Sequence, residues 1–255
     1  MRNAVFTIVQ NESVFLPLWA RYYAQHFNPE DIYILNHQST DGSVLSAKSK
    51  NPGIRILPVY NELSFSHEWL RDTVSSFQRF LLQSYDQVLF AEADEIVAAA
   101  PGVHPEGLKQ YMARNPKMIC RCTGFEIVQT EGELGINWEQ PLIAQRSTMI
   151  RCPTYSKPIL SKVPLDWEMG FHDLRNTSLK PDPSLLLLHL HRIDYQYTLE
   201  RHLSAVRRKW SPQDTEQGRG WQNRVVDPAE FDRWYKFTRP GESIEHIPDA
   251  WKEII

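Results

Sequence analysis

Short apolar runs alternate with amphipathic stretches through the first hundred residues, and this alternation constrains the fold more than any other feature. The runs at residues 4–9, 31–35, 54–59 and 87–91 are rich in β-branched and aromatic side chains, which is typical of buried strands. Apolar residues at helical spacing follow the first run and the third run. The order predicts an α/β fold with a mostly parallel sheet and helices on both faces.

Beyond residue 100 the pattern changes without a linker. Residues 105–115 have a helical pattern, and residues 118–128, 141–151 and 185–191 resemble strands. From Tyr197 onward the chain is charged and helical in pattern, which predicts a helical C-terminal extension. We therefore expect one domain over residues 1–255, with sections at 1–100, 101–195 and 196–255.

Composition excludes several classes of protein. The 28 Lys and Arg residues face 31 Asp and Glu residues, a net charge of −3, so we expect no nucleic-acid partner. No apolar run reaches the roughly 18–20 residues that cross a bilayer, and the N-terminal apolar stretch is too short for a signal peptide. Three cysteines without a CxxC spacing predict neither disulfides nor zinc. These observations favour a cytoplasmic protein.

Polar clusters follow three of the predicted strands. They occupy residues 10–12, 36–43 and 92–95. Because parallel strands end at the same edge of a sheet, the three clusters are expected to meet there, where open α/β sheets bind ligands.

Two pairs of residues in this sequence can bind a cation. Glu92 and Asp94 lie two positions apart and repel each other unless a cation lies between them, although a solvated strand end is the plain alternative. His189 and His191 share a face if residues 185–191 form a strand, although a lone histidine there is more often a core residue. Carboxylate and imidazole ligands together favour Mn²⁺, and carboxylates with phosphate oxygens suit Mg²⁺ or Mn²⁺.

Four motifs in order resemble glycosyltransferases of the GT-A fold, of the family 2-like and family 92-like kind. They read IVQNE, LPLWARYY, DIYILNHQSTDGS and VLFAEADEIV, and fainter similarity follows in YSKPIL, GFH and LHLHR. The resemblance covers about the first hundred residues. No GxGxxG, GxxxxGK[ST] or GxSxG motif points to another nucleotide fold or to an α/β-hydrolase.

The resemblance implies a metal-dependent transfer of a sugar from a nucleotide-sugar donor, with a UDP-sugar favoured. The acceptor would be a saccharide or a lipid-linked glycoconjugate, in cell-surface polysaccharide assembly. Residues 1–100 would then bind the donor, and residues 101–195 the acceptor. The implied nucleotide-binding residues are Val9, Gln10, Glu12, Asn36, His37, Asp41 and Lys157. The implied ligands of Mn²⁺ or Mg²⁺ are Glu92, Asp94, His191 and His189.

Two positions depart from the family pattern. Glu92 stands where the first Asp of a D-x-D pair is usual. Asn36 and His37 stand where the family often carries one or two Asp residues that recognise the base. The identity of the base in the donor, uracil or another, therefore stays open.

An inverting transfer also needs a base near the acceptor hydroxyl. The candidates are Glu168, His172 and Asp173 in DWEMGFHDL, a stretch that a simple capped turn would also explain. Glu131 and Glu133 are the alternatives, on a loop able to act as a lid.

Aromatic and basic side chains suggest further contacts, each with a plain structural alternative. Exposed tryptophans can stack on sugar faces, but packing explains each of them as well. The tryptophans in polar contexts are Trp138, Trp167, Trp210 and Trp221. A basic stretch could touch a membrane surface, at most peripherally, or form a solvated helix face. Its residues are Arg201, Arg207, Arg208 and Lys209.

Two other functions stay open at this point. A glycosyltransferase-like module could bind carbohydrate without turnover, and a similar sheet could serve a nucleotidyltransferase or a pyrophosphatase.

Overall fold

The computed structural model describes residues 1–61, 64–103 and 107–255 of the chain. Its first half repeats a strand and a helix. The elements are β1 (Asn3–Val9), α1 (Phe15–Tyr23), β2 (Ile32–Asn36), α2 (Ser43–Lys50), β3 (Arg55–Pro58), α3 (His67–Leu81) and β4 (Gln87–Phe90).

The second half is richer in strands and ends in a mainly helical segment. Its elements are β5 (Glu95–Ala99), α4 (Gly107–Arg114), β6 (Ile119–Val128), β7 (Thr148–Arg151), β8 (Pro158–Ser161), β9 (Asp182–His189), α5 (Tyr195–Arg207), α6 (Pro212–Glu216), α7 (Pro228–Lys236) and β10 (Ser243–His246).

The strands form one mixed sheet in the order β3-β2-β1-β4-β8-β6-β7-β10, and β9 pairs with β5 and β6. The four strands β1 to β4 run parallel, as the alternation of the first hundred residues predicts. The strand β8 runs antiparallel to β4, and β6 runs antiparallel to β8. The α/β prediction with a mostly parallel central sheet is confirmed.

The direction of the chain across the sheet reverses beside β1. From β1 the chain moves outward to β2 and β3, and then it returns to form β4 on the other side of β1. Because such crossovers are right-handed, α3 lies on the face opposite α1 and α2. Phe6 of β1 accordingly packs against Phe77 of α3, with ring centroids 5.2 Å apart. A reversal of this kind opens a crevice at the carboxyl ends of β1 and β4.

Several boundaries differ from the sequence-based expectation. Of residues 141–151 only the last four form a strand, because the segment before them turns through a short 3-10 helix at Ile143–Gln145. The predicted helix at 105–115 is α4, and its first two residues lie outside the described residues.

Three observed strands had no counterpart in the prediction. The strand β5 directly continues the acidic cluster, β8 begins with a proline, and β10 is polar and largely exposed within the segment expected to be helical. Each is stabilised by pairing with a distant strand rather than by its own composition.

Among the described residues, no helix combines the length and the apolar character needed to cross a membrane.

Candidate active site

A cavity of about 410 Å³ opens at the carboxyl ends of β1 and β4. The residues Val9, Gln10 and Glu12 line it from β1, and Glu92 and Asp94 line it from β4. Two of the three polar clusters therefore meet at one edge of the sheet, as their positions after parallel strands predict. The third cluster contributes His37.

Three side chains in this cavity form a candidate metal centre. Within the described part of the chain, Asp94, His189 and His191 are the group whose ligand atoms all lie within 4.8 Å of one another. Asp94 Oδ2 is 3.8 Å from His189 Nε2 and 3.6 Å from His191 Nδ1. Two atoms bound to one ion at about 2.1 Å lie at most about 4.2 Å apart, so both separations accommodate a cation.

A buried glutamate orients the ring of His189. His189 Nδ1 lies 2.9 Å from Glu126 Oε2, and Glu126 is 1% exposed. Burial alone would raise the pKa of Glu126, but His189 and Arg192 outweigh it and lower that pKa to about 2. The ionised carboxylate can only accept, so Nδ1 donates. Burial would lower the pKa of His189, but Glu126 and Asp94 raise it, so Nε2 binds a cation by giving up its proton. This carboxylate–histidine pairing is typical of metal sites.

A chain of two hydrogen bonds orients His191. His202 Nδ1 lies 2.9 Å from the carbonyl oxygen of Val225, which can only accept, so His202 Nδ1 donates. Burial lowers the pKa of His202 to about 4, so its ring is neutral and Nε2 accepts. His191 Nε2 lies 3.1 Å from that nitrogen and donates to it. The lone pair of His191 therefore resides on Nδ1, which faces Asp94.

The donor set fits a divalent cation. One carboxylate oxygen and two imidazole nitrogens lie within 4.8 Å of one another in the cavity. Burial opposes the negative charge of Asp94, but Arg201 and His189 outweigh it and hold the pKa of this carboxyl well below its usual range. Carboxylate with imidazole is a ligand set that suits Mn²⁺.

The structure places Glu92 beside this group rather than in it. Lys157 Nζ lies 2.6 Å from Glu92 Oε2 and 2.6 Å from Glu95 Oε1. Burial would lower the pKa of Lys157, but the two glutamates raise it, so the ammonium is charged. Glu92 and Glu95 thus balance the positive charge of the buried Lys157 at the cavity wall.

The nucleotide-binding candidates divide into two groups. Val9, Gln10, Glu12, His37 and Lys157 line the cavity.

Asn36 and Asp41 are absent from the cavity lining, because both hold turns of the backbone. The side-chain oxygen of Asn36 accepts from Ser39 N at 2.9 Å, and Asp41 Oδ1 accepts from Ser43 N at 3.0 Å at the start of α2. Asp41 therefore shapes the loop, one of the two roles that the family resemblance implies.

Of the three candidates for a catalytic base, His172 lines the cavity. Its Nδ1 donates to the carbonyl oxygen of Thr154 at 2.8 Å. Burial and the nearby Lys157 lower the pKa of His172 to about 4, so Nε2 is a neutral acceptor. The tight turn before it depends on Gly170, where a Cβ atom would lie 2.9 Å from the ring of His172.

The carboxylate candidates point elsewhere. Glu168 and Asp173 are exposed and do not line the cavity, and Asp173 pairs with Arg121 at 2.5 Å. The backbone of Glu168 donates to Asp173, so the two residues close a turn. Among the alternatives, Glu131 is exposed and Glu133 accepts from Ser147, and neither lines the cavity.

The C-terminal segment forms one wall of the cavity, which the sequence-based reasoning missed. Its lining residues are Arg201, His202, Ser204, Ala205, Arg208, Trp210, Gln222, Asn223, Trp234 and Arg239. The sequence does carry a pattern that could have indicated this wall. Thr198, His202 and Ala205 recur at helical spacing and form the buried face of α5, and Arg201 lies next to that face. The interpretation of Arg201 as part of a solvated face is wrong, since its side chain is 18% exposed and buried against acidic partners.

The tryptophans divide between the two roles that the sequence suggests, packing and a position at the cavity. Trp210 lines the cavity, Trp167 is fully buried, and Trp138 packs against Phe15. Trp234 also lines the cavity and lies against His202, with ring centroids 4.6 Å apart.

No protein-family model matches the sequence, and no curated protein matches it. Solved structures with a similar fold do exist. The mannosyltransferase PcManGT from Pyrobaculum calidifontis, in complex with GDP-Man and Mn²⁺, is 12% identical, with 91% of this chain and 72% of that chain covered and a TM-score of 0.42. TarS 1–349 from S. aureus is 10% identical, with 92% and 72% covered and a TM-score of 0.39.

Glucosyl-3-phosphoglycerate synthase from Mycobacterium tuberculosis, in complex with Mn²⁺, UDP and glucosyl-3-phosphoglycerate, is also similar. The identity is 18% over 49% of this chain, with a TM-score of 0.33. The chain spans less than half of that enzyme, 44% of its length. The similarity of this chain to these three structures concerns the fold alone.

Proposed function

We propose that the protein is a metal-dependent glycosyltransferase that uses a nucleotide-sugar donor. The observation that carries the proposal is the group of Asp94, His189 and His191, whose oriented ligand atoms lie where the sheet reverses direction. A divalent ion held by these residues would supply positive charge to the departing diphosphate.

Residues of the strand ends would bind the donor. Val9, Gln10 and Glu12 follow β1, and His37 follows β2. His37 is buried against Trp69 at a centroid distance of 4.6 Å, and burial lowers its pKa, so it presents a neutral ring to a base. We propose a UDP-sugar as the first donor to test.

Among the cationic side chains of the cavity, Arg208 supports a phosphorylated ligand. Arg208 lines the cavity, and in the described chain it has no carboxylate within salt-bridge distance, although its guanidinium lies 4.9 Å from the ring centroid of Phe65. A guanidinium without a counter-ion is a ready partner for phosphate oxygens.

We propose His172 as the residue that accepts the proton of the acceptor hydroxyl. Nδ1 is engaged by Thr154, which leaves Nε2 as the acceptor at the cavity wall. The acceptor side would be formed by residues 101–195 with Trp234 from the C-terminal segment. A saccharide or a lipid-linked glycoconjugate in the cytoplasm remains the proposed acceptor.

The test is the substitution Asp94→Asn, assayed for release of nucleoside diphosphate from UDP- and GDP-sugars with Mn²⁺ present. We expect turnover to fall by about a hundredfold or more, because one metal ligand and its charge are lost. Asp249→Asn, at an exposed position, is the matched control and should keep wild-type turnover.

Two results contradict the proposal. Full turnover in Asp94→Asn with Mn²⁺ would remove the metal role, and release of pyrophosphate or nucleoside monophosphate would indicate a nucleotidyltransferase or a pyrophosphatase.

A further inference from the structure

Arg201 donates hydrogen bonds to two of the three side chains of the candidate metal centre. Its Nη1 donates to Asp94 Oδ2 at 2.8 Å and to His191 Nδ1 at 3.1 Å. Its Nη2 donates to Glu12 Oε1 at 2.9 Å. The guanidinium thus bridges the metal centre and the carboxylate at the end of β1.

The contact with His191 and a metal bond to His191 exclude each other. The Nε2 atom of His191 is engaged with His202, so Nδ1 holds the single in-plane lone pair of the ring. That lone pair either accepts from Arg201 or binds an ion. The charge of Arg201 adds electrostatic repulsion against any cation that approaches Asp94.

Glu12 offers Arg201 an alternative position. Glu12 Oε2 is buried and, among the described residues, has no hydrogen-bond partner. A guanidinium that releases His191 can therefore donate to both oxygens of Glu12, in the bidentate geometry that carboxylates favour. Glu12 lies beside Val9 and Gln10 at the proposed nucleotide-binding edge.

We propose that Arg201 is an internal competitor of the divalent cation, held on the metal ligands until the cation displaces it toward Glu12. This inference rests on the proposed function of the same site. Because linkage is reciprocal, an anion such as a nucleoside diphosphate that draws Arg201 away must raise the affinity for the cation.

The experiment measures Mn²⁺ affinity without nucleotide, by electron paramagnetic resonance of the free ion. We expect Arg201→Gln to bind Mn²⁺ about tenfold or more tightly than the wild type, because hydrogen bonds between charged groups contribute about a decade each in affinity. The double variant Arg201→Gln with His191→Ala should lose this gain.

Arg207→Gln is the matched control. It removes the same charge from the same helix at an exposed position, and its Mn²⁺ affinity should equal that of the wild type. If Arg201→Gln fails to fold by circular dichroism, Arg201→Met replaces it, since methionine keeps an unbranched apolar stem but has neither the charge nor the hydrogen-bond donors. Tighter Mn²⁺ binding by Arg201→Met supports competition, and equal or weaker binding overturns it.

The outcomes separate this inference from the proposed function. If the wild type binds Mn²⁺ and Arg201→Gln binds it equally or more weakly, Arg201 is no competitor, while the metal centre stands. If neither protein binds Mn²⁺, even with UDP present, the proposed metal centre fails together with the inference. Binding by Arg201→Gln alone supports the inference.

Discussion

Two hydrogen bonds determine which ring nitrogens of the histidine pair face Asp94. Glu126 accepts from His189 at 2.9 Å, and His202 accepts from His191 at 3.1 Å. In both cases the partner lies far along the chain or on another element, and no local motif marks it. At the scale of single residues, the orientation of the ligands therefore depends on side chains that are not ligands themselves.

Replacing Glu126 with Gln tests this dependence. The amide carries no charge and can present a donor to His189, so Nε2 loses its fixed orientation and basicity. We expect Mn²⁺ affinity to fall about tenfold to a hundredfold, measured by isothermal titration calorimetry.

Glu131→Gln is the control for this substitution, because Glu131 is an exposed glutamate on the loop that follows β6. Its Mn²⁺ affinity should match the wild type. An unchanged affinity in Glu126→Gln would show that His189 is oriented by other contacts or does not bind the ion.

At the scale of elements, α5 brings the C-terminal wall to the sheet. The helix begins after Asp194, whose Oδ1 accepts from Tyr197 N at 2.8 Å, a typical N-cap. The other oxygen accepts from Ile136 N at 2.8 Å, so one buried carboxylate joins α5 to the segment before β7. Arg201 and His202 follow within two turns and reach the cavity from this anchored end.

The substitution Asp194→Ala removes both hydrogen bonds. The lost cap costs about 1 kcal/mol, and the buried amide of Ile136 loses its acceptor at a further cost of about 1–3 kcal/mol. We expect the free energy of unfolding to fall by about 2–4 kcal/mol, measured by urea denaturation.

Asp249→Ala serves as the comparison, since Asp249 is 94% exposed and caps no long helix. Its free energy of unfolding should stay within about 0.5 kcal/mol of the wild type. A loss of similar size in both variants would mean that Asp194 acts only as a surface cap.

At the scale of the whole molecule, buried neutral histidines link stability to pH. Burial lowers the pKa of both His172 and His202 to about 4. In the unfolded chain a histidine has a pKa near 6.5, so between pH 6.5 and 4 the unfolded state binds more protons. The free energy of unfolding therefore decreases as the pH falls through this range.

His202→Gln isolates one of these contributions. Glutamine can still donate to Val225 and accept from His191, but it does not titrate. The decrease in the free energy of unfolding from pH 7 to pH 5, measured by urea denaturation without metal, should be smaller by about 1–2 kcal/mol than in the wild type.

The exposed His246 supplies the control, and His246→Gln should keep the wild-type difference between the two pH values. If His202→Gln also keeps the wild-type difference in the free energy of unfolding between pH 7 and pH 5, His202 is already charged in the folded protein.

The residue pattern alone was enough to predict the parallel half of the sheet, since strand and helix periodicities are properties of neighbouring residues. For the same reason the strand-end residues Glu12 and Asp94 and the closely spaced His189 and His191 were identified as candidates. Strands such as β8 and β10 were missed because their stability comes from pairing across the sheet.

Only the tertiary structure decided how these candidates are used. It pairs Glu92 with Lys157, turns Glu168 and Asp173 away from the cavity, and brings Arg201 to Asp94 and to Glu12, residues 107 and 189 positions away. The sequence by itself determined which groups can carry the chemistry, because residue type and local spacing are properties of the sequence. Their partners depend on contacts between distant segments, which form only when the sheet and the C-terminal helices pack together.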